Sequence, residues 1–505
     1  MIRDAAAVGA GLAPARAARR IRTGERIHVV GVAGAGASAA ALLADRAGAS
    51  VTGCDAGGPS PYSAAVQATG IPVAWRHDPA HVAEDPQPDR LAVTTALTAV
   101  DPDHPELDAA RRRGIPVEAW QQLVADAATG RTLVGIAGTH GKSTTSGWLV
   151  HVLVEAGADP SALVGALLPA ALTGGTPATA RWGSGDTFVV EADEYAGNFD
   201  PFRPDVVVVT SVEWDHPDVF ADRSAVVSVF ERWLRGAAAT PGRPPTLVAN
   251  AGDEGVRELL TRLPDWPGRL IPIRLVDDTG YAHREGLRGR IVAATPDGTD
   301  LALDGSLLPD GPVTARLPTA GRHNAANALG VAGAALALGL SPAAIVRGLA
   351  SFGGVGRRLE RKGEAAGVAV YDDYGHHPTA IRETLAAVRQ RAPGRRVWAV
   401  YEPLTYHRTA ALLDAFADVL ATADAVAVAD IWAGRDPDTT VASAAGLAEA
   451  VAQRRPELTV AAPGSVEETA DWLAGEVRAG DVVLVMGGGR SYRIGERLLE
   501  QLEQR

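Results

Sequence analysis

The sequence predicts an α/β protein of three domains, each built on a mainly parallel sheet. Its 505 residues are too many for one hydrophobic core and suggest about three domains. Apolar strand-like runs alternate with helical segments along most of the chain, and continuous apolar runs are typical of strands covered on both faces. We therefore predict an N-terminal extension at 1–24 and domains at 25–127, 128–338 and 339–505.

Composition and charge exclude several classes of protein. A net charge of −12 argues against a nucleic-acid surface, which needs basic patches. No apolar run is long enough to span a membrane, and the Ala- and Arg-rich extension lacks the pattern of a secretory signal, so we read it as loose. The single cysteine, Cys54, excludes a disulfide framework. We expect a cytoplasmic enzyme without nucleic-acid or membrane partners.

The first domain begins as a nucleotide-binding module. An apolar strand at 26–30 runs into a glycine turn at 31–36, and Asp55 follows about 20 residues later, where a ribose-binding acid is expected. Ala33 replaces the middle glycine of the dinucleotide fingerprint. A nicotinamide-dependent dehydrogenase therefore remains an alternative. Another strand ends at Thr94 and Thr95.

The second domain opens with a phosphate-binding turn. A buried strand at 134–137 leads into a glycine loop and then a helix that we start at Ser143. Backbone N–H groups at such a turn suit a phosphate, and we expect Lys142 to reach the outer phosphates and the Ser143 hydroxyl to bind Mg²⁺. Lys142 and Lys362 are the only lysines in the chain. The predicted ATP-binding residues are Gly138, Thr139, His140, Gly141, Lys142, Ser143 and Thr144.

Acidic residues and a histidine follow the next two strands of this P-loop ATPase-like domain. The acids at 191–194 would repel one another without a cation, and a Mg²⁺ on ATP phosphates is the natural one. His216 follows the strand at 205–210 and suits a metal ligand or a base. Segments at 268–320 suggest an antiparallel insert. Asn324 and Asn327 share a helix face, which suits adenosine contacts, although an N-cap with a surface amide is the alternative.

The third domain carries two groups of polar residues. Arg357 and Arg358 can clamp a phosphate or carboxylate. The run at 372–378 gathers acids, a phenol and imidazoles after a strand, a composition that suggests function in a connecting turn. Arg408 adds a further cation.

Together these motifs resemble those of the Mur ligases. The matching segments lie at 31–38, 138–145, 191–194, 215–216, 323–327, 354–358, 372–379 and 408–409. The resemblance implies an N-terminal Rossmann-like domain for a UDP-sugar, a central ATP-binding domain and a C-terminal Rossmann-like domain for the amino acid. It also implies that ATP and Mg²⁺ activate the carboxylate of UDP-N-acetylmuramate as an acyl phosphate, which the amine of L-alanine then attacks.

The resemblance assigns roles residue by residue. Catalytic roles fall on Lys142, His216, Arg358, Asp373 and His376, and metal binding on Ser143, Glu191 and His216. Nucleotide contacts extend to His323, Asn324, Asn327, Arg357 and Arg358. Substrate contacts fall on Gly31, Gly34, Gly36, Ser38, Asp55, Thr94, Thr95, Glu194, Tyr374, His376 and Arg408.

Two features bear on the second substrate. Many relatives carry a carbamylated lysine, but no lysine lies between Ser143 and Arg361, which fits the alanine-adding branch. Leu404, however, stands where that branch usually has a histidine, and the segments at 191–195 and 402–403 lean towards murein peptide ligases, which use a tripeptide. The tripeptide remains an alternative, as does a catalytically inactive binding protein.

Overall fold

The structure, a computed structural model, describes residues 8–239, 244–278, 285–434, 436 and 438–505. Within these residues the chain forms three separate sheets, flanked by helices. The α/β architecture predicted from the sequence is confirmed. Among the described helices, none is long and apolar enough to cross a bilayer. Residues 1–7 of the predicted extension lie outside the described part.

The first sheet has five parallel strands in the order β3-β2-β1-β4-β5. Its strands are β1 (Arg26–Val30), β2 (Ser50–Cys54), β3 (Val73–Ala74), β4 (Arg90–Val93) and β5 (Val117–Ala119). The helices are α1 (Ala35–Arg46), α2 (Ser63–Ala68), α3 (Ala80–Ala83), α4 (Thr95–Thr98), α5 (Pro105–Arg112) and α6 (Trp120–Ala127). The glycine turn between β1 and α1 therefore lies at the carboxyl edge of the sheet, the usual ligand-binding edge of such folds.

The central sheet has ten strands in the order β15-β14-β13-β12-β11-β10-β6-β9-β7-β8. They are β6 (Thr132–Ala137), β7 (Ser161–Leu168), β8 (Ala178–Arg181), β9 (Thr187–Ala192), β10 (Val206–Val209), β11 (Thr246–Asn250), β12 (Leu270–Leu275), β13 (Leu287–Thr295), β14 (Gly298–Gly305) and β15 (Val313–Leu317). The helices are α7 (Lys142–Glu155), α8 (Ala170–Thr173), α9 (Arg223–Ala238), α10 (Glu254–Thr261), α11 (Arg322–Ala337) and α12 (Pro342–Ala350). Because β6, β9 and β10 are parallel neighbours, their following loops meet at one edge.

The region from 268 to 350 agrees only in part with the sequence predictions. The antiparallel segment predicted at 268–320 is confirmed for β13, β14 and β15, whereas β12 pairs in parallel with β11 and β13. Beyond the predicted boundary at 339, the chain still packs against the central core. Ile345 and Leu349 of α12, one helical turn apart, are buried in the central core together with Val355.

The third sheet has the order β16-β17-β21-β18-β19-β20, with β16 antiparallel to β17 and the other pairs parallel. Its strands are β16 (Glu360–Ala365), β17 (Val368–Asp373), β18 (Val397–Glu402), β19 (Ala425–Ala429), β20 (Thr459–Gly464) and β21 (Val482–Gly487). The helices are α13 (Pro378–Arg391), α14 (Tyr406–Ala411), α15 (Leu413–Leu420), α16 (Ala444–Arg454), α17 (Val466–Glu476) and α18 (Tyr492–Glu503). The sequence did not predict β16 and β20, whose exposed positions lack a continuous apolar run.

The described part of the N-terminal extension is held by ion pairs, contrary to the expected loose segment. Arg16 bonds Glu118 at 2.7 Å and Asp126 at 2.8 Å. Arg90, on β4, reaches the same two carboxylates at 3.0 and 2.5 Å and Glu25 at 3.2 Å. Arg90 is only 2% exposed, so these carboxylates depend on it for charge compensation.

We predict that Arg90→Met lowers the free energy of unfolding of the first domain by about 3–5 kcal/mol, because it removes a buried cation shared by three carboxylates, which Arg16 and Arg19 then compensate only from partly exposed positions. Arg26→Met is the matched control: Arg26 pairs with Asp89 at 2.9 Å in a half-exposed position, so its loss should cost much less than that of Arg90. Urea denaturation followed by tryptophan fluorescence measures both. Equal losses in the two variants would contradict the prediction.

Candidate functional site

The glycine loop between β6 and α7 forms a phosphate-sized turn. Gly138 and Gly141 adopt φ angles of +139° and +81°, which side chains with a Cβ rarely adopt. A Cβ on Gly141 would lie 2.4 Å from Oδ1 of Asn327. The helix begins at Lys142, one residue before the predicted Ser143. The turn thus requires glycine for both conformation and close packing.

Lys142 is surrounded by acceptors. Its Nζ donates to the carbonyl of Gly138 at 2.6 Å and to Oε2 of Glu194 at 3.1 Å, and lies 3.6 Å from Oδ1 of Asp193. Burial alone would lower the pKa of Lys142, but the nearby carboxylates, Glu194 foremost, outweigh burial and raise it. Lys142 is therefore a fixed, partly desolvated cation.

Ser143 links the central domain to the third domain. Its Oγ donates to Oε1 of Glu191 at 3.0 Å and accepts from Nη2 of Arg358 at 2.7 Å. The other oxygen of Glu191 accepts from the backbone N–H of Gly165 at 2.6 Å. Two predicted metal ligands and one predicted catalytic arginine are thus in direct contact.

His216 lies in a neighbouring group. Ligand atoms of Asp193, Glu194 and His216 all lie within 4.8 Å of one another, and the ring of Tyr195 packs 4.7 Å from that of His216. The predicted ligands Ser143, Glu191 and His216 are therefore divided between two adjoining groups. Both offer mainly oxygen donors, the ligands that Mg²⁺ prefers, so the residues fit that ion.

A buried ion pair joins the central and third domains behind His216. Arg408 bonds Oδ1 of Asp215 at 2.8 and 2.9 Å and contacts Nδ1 of His216 at 3.2 Å. Burial would raise the pKa of Asp215, yet Arg408 holds it well below its usual value. Burial, reinforced by Arg408, lowers the pKa of His376, so its imidazole is neutral at physiological pH.

The sequence analysis missed a second junction between the same domains. Glu213 accepts from Oγ1 of Thr379 at 2.7 Å and contacts Nε2 of His140 at 2.7 Å. The ring of His377 lies 4.9 Å from that of His140. Burial opposes ionisation of Glu213, but its bond with His140 prevails and lowers the pKa to about 2. In the sequence, the one indication of a role for Glu213 is its position three residues before His216.

The two predicted adenosine contacts are paired with each other. Nδ2 of Asn327 donates to Oδ1 of Asn324 at 3.2 Å, and Nδ2 of Asn324 donates to the carbonyl of Ala320 at 2.8 Å. Both are buried in the first turns of α11, beside Gly141. His323 instead lies 3.5 Å from Glu383 of the third domain.

Several predicted residues of the third domain hold its own loops. Arg357 bonds Asp372 at 3.0 Å and the carbonyl of Gly487 at 2.9 Å. Asp373 accepts from the backbone N–H groups of Leu359 and Gly375, both at 2.7 Å. Arg357 and Asp373 are thus bonded within the third domain, whereas Arg358, like Arg408, extends to the central domain. Tyr374 packs 5.0 Å from the Arg358 guanidinium.

The predicted sugar-binding turn is only partly open. Asp55 accepts from the backbone N–H groups of Ala33 at 3.0 Å and Gly57 at 2.8 Å, so it holds the turn itself. Ser38 is fully buried, and its hydroxyl bonds that of Thr179 on β8 at 3.1 Å; its predicted contact with substrate stays a prediction. A Cβ on Gly36 would meet the Trp120 ring, so this glycine serves packing. Gly31 and Gly34 form the turn.

A polar chain connects the first domain to the acidic cluster. Oγ1 of Thr95 donates to Oδ1 of Asn198 at 3.2 Å, and Nδ2 of Asn198 donates to Oδ2 of Asp193 at 2.9 Å. Thr94 caps α4 by accepting from the backbone of Ala96. All three domains therefore contribute to one site, and Asn198 was missed as a member of it.

Comparison with known proteins matches each domain. Residues 26–132 match the catalytic domain of the Mur ligase family, 136–335 the Mur ligase middle domain and 357–489 the Mur ligase glutamate ligase domain. The UDP-N-acetylmuramate–L-alanine ligase of Frankia casuarinae is 37% identical over 95% of this chain and 99% of its own. That of Kineococcus radiotolerans is 39% identical over 95% and 97%.

Two solved structures share the fold. The UDP-N-acetylmuramate-alanine ligase of Thermotoga maritima has a TM-score of 0.76 at 24% identity, over 95% of this chain and 99% of its own. A murein peptide ligase from Psychrobacter arcticus has a TM-score of 0.68 at 24% identity, with the same coverage. The domain matches and the near full-length relatives confirm the resemblance seen in the sequence: the chain belongs to the Mur ligase family.

Proposed function

We propose that the protein is an ADP-forming ligase that joins L-alanine to the carboxylate of UDP-N-acetylmuramate, in peptidoglycan precursor synthesis in the cytoplasm. The observation that carries the proposal is the convergence of Lys142, Ser143 and Arg358, from two domains, at one phosphate-binding turn. The names of the near full-length relatives support the choice of substrates.

The proposed reaction has two steps. A carboxylate oxygen of UDP-N-acetylmuramate attacks the γ-phosphorus of ATP, and ADP leaves. The neutral amine of L-alanine then attacks the carbonyl carbon of the acyl phosphate, and inorganic phosphate leaves as the amine loses a proton. Phosphoryl transfer of this kind needs positioned cations more than covalent chemistry from the protein.

The site offers those cations on two sides. Lys142 lies on the turn itself, and Arg358 approaches from the third domain through Ser143. Both suit the negative charge that develops on the transferring phosphoryl group. Neutral His376 lies beside Arg408 and Asp215 and adds no charge at this end of the site.

We further propose Mg²⁺ as the required metal. The oxygen donors of Ser143 and Glu191, with His216 from the adjoining group, would hold it. When bound, Mg²⁺ would neutralise phosphate charge. Asn324 and Asn327 would contact adenosine, and the turn of Gly31 and Gly34 would face the UDP-sugar.

The two alternatives carry less support. A dehydrogenase would use the Asp55 carboxylate to bind a ribose. Both oxygens of that carboxylate instead accept hydrogen bonds from backbone N–H groups, those of Ala33 and Gly57. The case for a tripeptide substrate rests partly on Leu404, which replaces an expected histidine. Leu404 forms a β-bridge with Trp432, and its side chain packs so closely on Gly488 that a Cβ there would lie 2.8 Å from it. Leu404 thus has a packing role that explains it without a peptide substrate.

We predict that phosphate release from ATP requires UDP-N-acetylmuramate and L-alanine together, because the second step consumes the acyl phosphate. The measurement is a coupled phosphate assay across amino acids and the tripeptide L-alanyl-γ-D-glutamyl-diaminopimelate. Turnover with the tripeptide but not with L-alanine would favour the alternative ligase. ATP turnover with neither would contradict the proposal.

We predict that Lys142→Met lowers kcat by about 100-fold or more, because it removes a fixed cation from the phosphoryl group. The only other lysine gives a matched control: Lys362 pairs with Glu360 and Glu496 at 3.7 and 3.4 Å in the third domain. Lys362→Met should retain the parent kcat. Steady-state assays with thermal melts of both variants test this, and equal activities would contradict it.

We predict that Arg358→Gln lowers kcat more than it raises the KM for ATP. The third domain brings the Arg358 guanidinium to Ser143, so we expect it to act mainly on the transferring phosphoryl group. Arg361→Gln is the control, since Arg361 is exposed and pairs with Glu364. A rise in KM alone, with kcat unchanged, would limit Arg358 to ground-state binding.

A further inference from the structure

A second cluster of metal-ligating side chains lies inside the first domain, away from the phosphate-binding turn. It contains the only cysteine of the chain, Cys54 at the end of β2, together with His28 of β1, His81 of α3 and Glu106 of α5. One ligand atom from each lies within 4.8 Å of all the others. Cys54 and Glu106 are fully buried, and His28 is 3% exposed.

The spacing of this cluster matches that of ligands around one metal ion. The Sγ atom of Cys54 lies 3.3 Å from Nε2 of His28, 3.3 Å from Nδ1 of His77 and 3.2 Å from Oε2 of Glu106. A thiol donates one hydrogen and its sulfur accepts only weakly, so hydrogen bonds hold these three partners weakly. Ligands around a tetrahedral zinc ion lie roughly 3.3–3.8 Å apart, given metal–ligand bonds of about 2.0–2.3 Å.

Neighbouring groups hold the cluster in an orientation suited to a metal. Nδ1 of His28 lies 2.8 Å from Oγ1 of Thr52, which leaves Nε2 directed at Cys54. Oε1 of Glu106 accepts from the backbone N–H of Asp78 at 2.6 Å, while its 2.8 Å contact with Nδ1 of His81 joins two members of the cluster. Metal-bound histidines and carboxylates are usually fixed by outer partners of this kind.

We propose that Cys54, His28, His81 and Glu106 bind a structural divalent cation, best matched by Zn²⁺. A thiolate, two imidazoles and a carboxylate form a donor set that zinc favours over Mg²⁺ or Ca²⁺. Binding replaces the thiol proton of Cys54, which is released to solvent. Four protein ligands complete a tetrahedron, so the ion has a structural role.

The cluster adjoins the glycine turn of the first domain. The backbone carbonyl of Cys54 accepts from the N–H groups of Gly31 at 2.8 Å and Val32 at 3.1 Å. An ion that fixes Cys54 would therefore also fix the start of this turn. The cluster would bind the ion whichever substrate the turn holds.

Cobalt substitution tests the site in the full-length protein, free of any affinity tag. Chelator-treated protein is titrated with Co²⁺ and followed by visible absorption, and Zn²⁺ is then added in competition. Because Cys54 is the only cysteine, a thiolate-to-cobalt charge-transfer band reports this cluster and no other. We expect one equivalent of Co²⁺ to produce the band and Zn²⁺ to abolish it.

Three variants complete the test, each checked for folding by circular dichroism. Cys54→Ser should lose the band, and His81→Gln should weaken Co²⁺ binding more than about tenfold. His151→Gln, a histidine of the central domain that contacts Ser351 at 2.8 Å, should behave like the parent protein. If Cys54→Ser does not fold, the His81→Gln variant still tests the proposal, because His81 is partly exposed. The absence of a thiolate band in the parent protein, or an unchanged affinity in His81→Gln, would overturn the proposal.

Discussion

The candidate active site depends on one buried cation held among carboxylates. The carbonyl of Gly138 and the carboxylate of Glu194 hold the ammonium of Lys142 on the turn, where its side chain is 14% exposed. The carboxylates in turn tolerate burial only because Lys142 compensates their charge. This mutual dependence fixes a positive charge beside a glycine turn, and ATP phosphates are the ligand that such a charge suits.

The third domain is placed with respect to that turn mainly by polar contacts, whereas the first domain also shares a hydrophobic core with the central domain. Arg358 reaches Ser143, Arg408 reaches Asp215, and Thr95 reaches Asn198. Contacts of this kind separate at lower cost than a hydrophobic interface, which suits domains that close over substrates and open to release product. A closed site also protects an acyl phosphate from water.

The sequence predicted the fold and much of the site for physical reasons. Apolar strands such as β10 are continuous runs, and a glycine turn before a helix has few other interpretations. It could not show that Asp55 holds the turn, that Ser38 is buried against Thr179, or that Arg357 supports its own domain. Those outcomes depend on side-chain partners distant in sequence. Glu213 and Asn198 were missed for the same reason, since single polar residues carry no periodic signal.

The central claim is that a carboxylate is activated by phosphoryl transfer at the Lys142 turn. Oxygen transfer tests it most directly. UDP-N-acetylmuramate labelled with ¹⁸O in its carboxylate is incubated with ATP, L-alanine and the protein, and the released phosphate is examined by ³¹P NMR. The account predicts one ¹⁸O atom in each phosphate released. Unlabelled phosphate, formed together with the alanyl product, would contradict it.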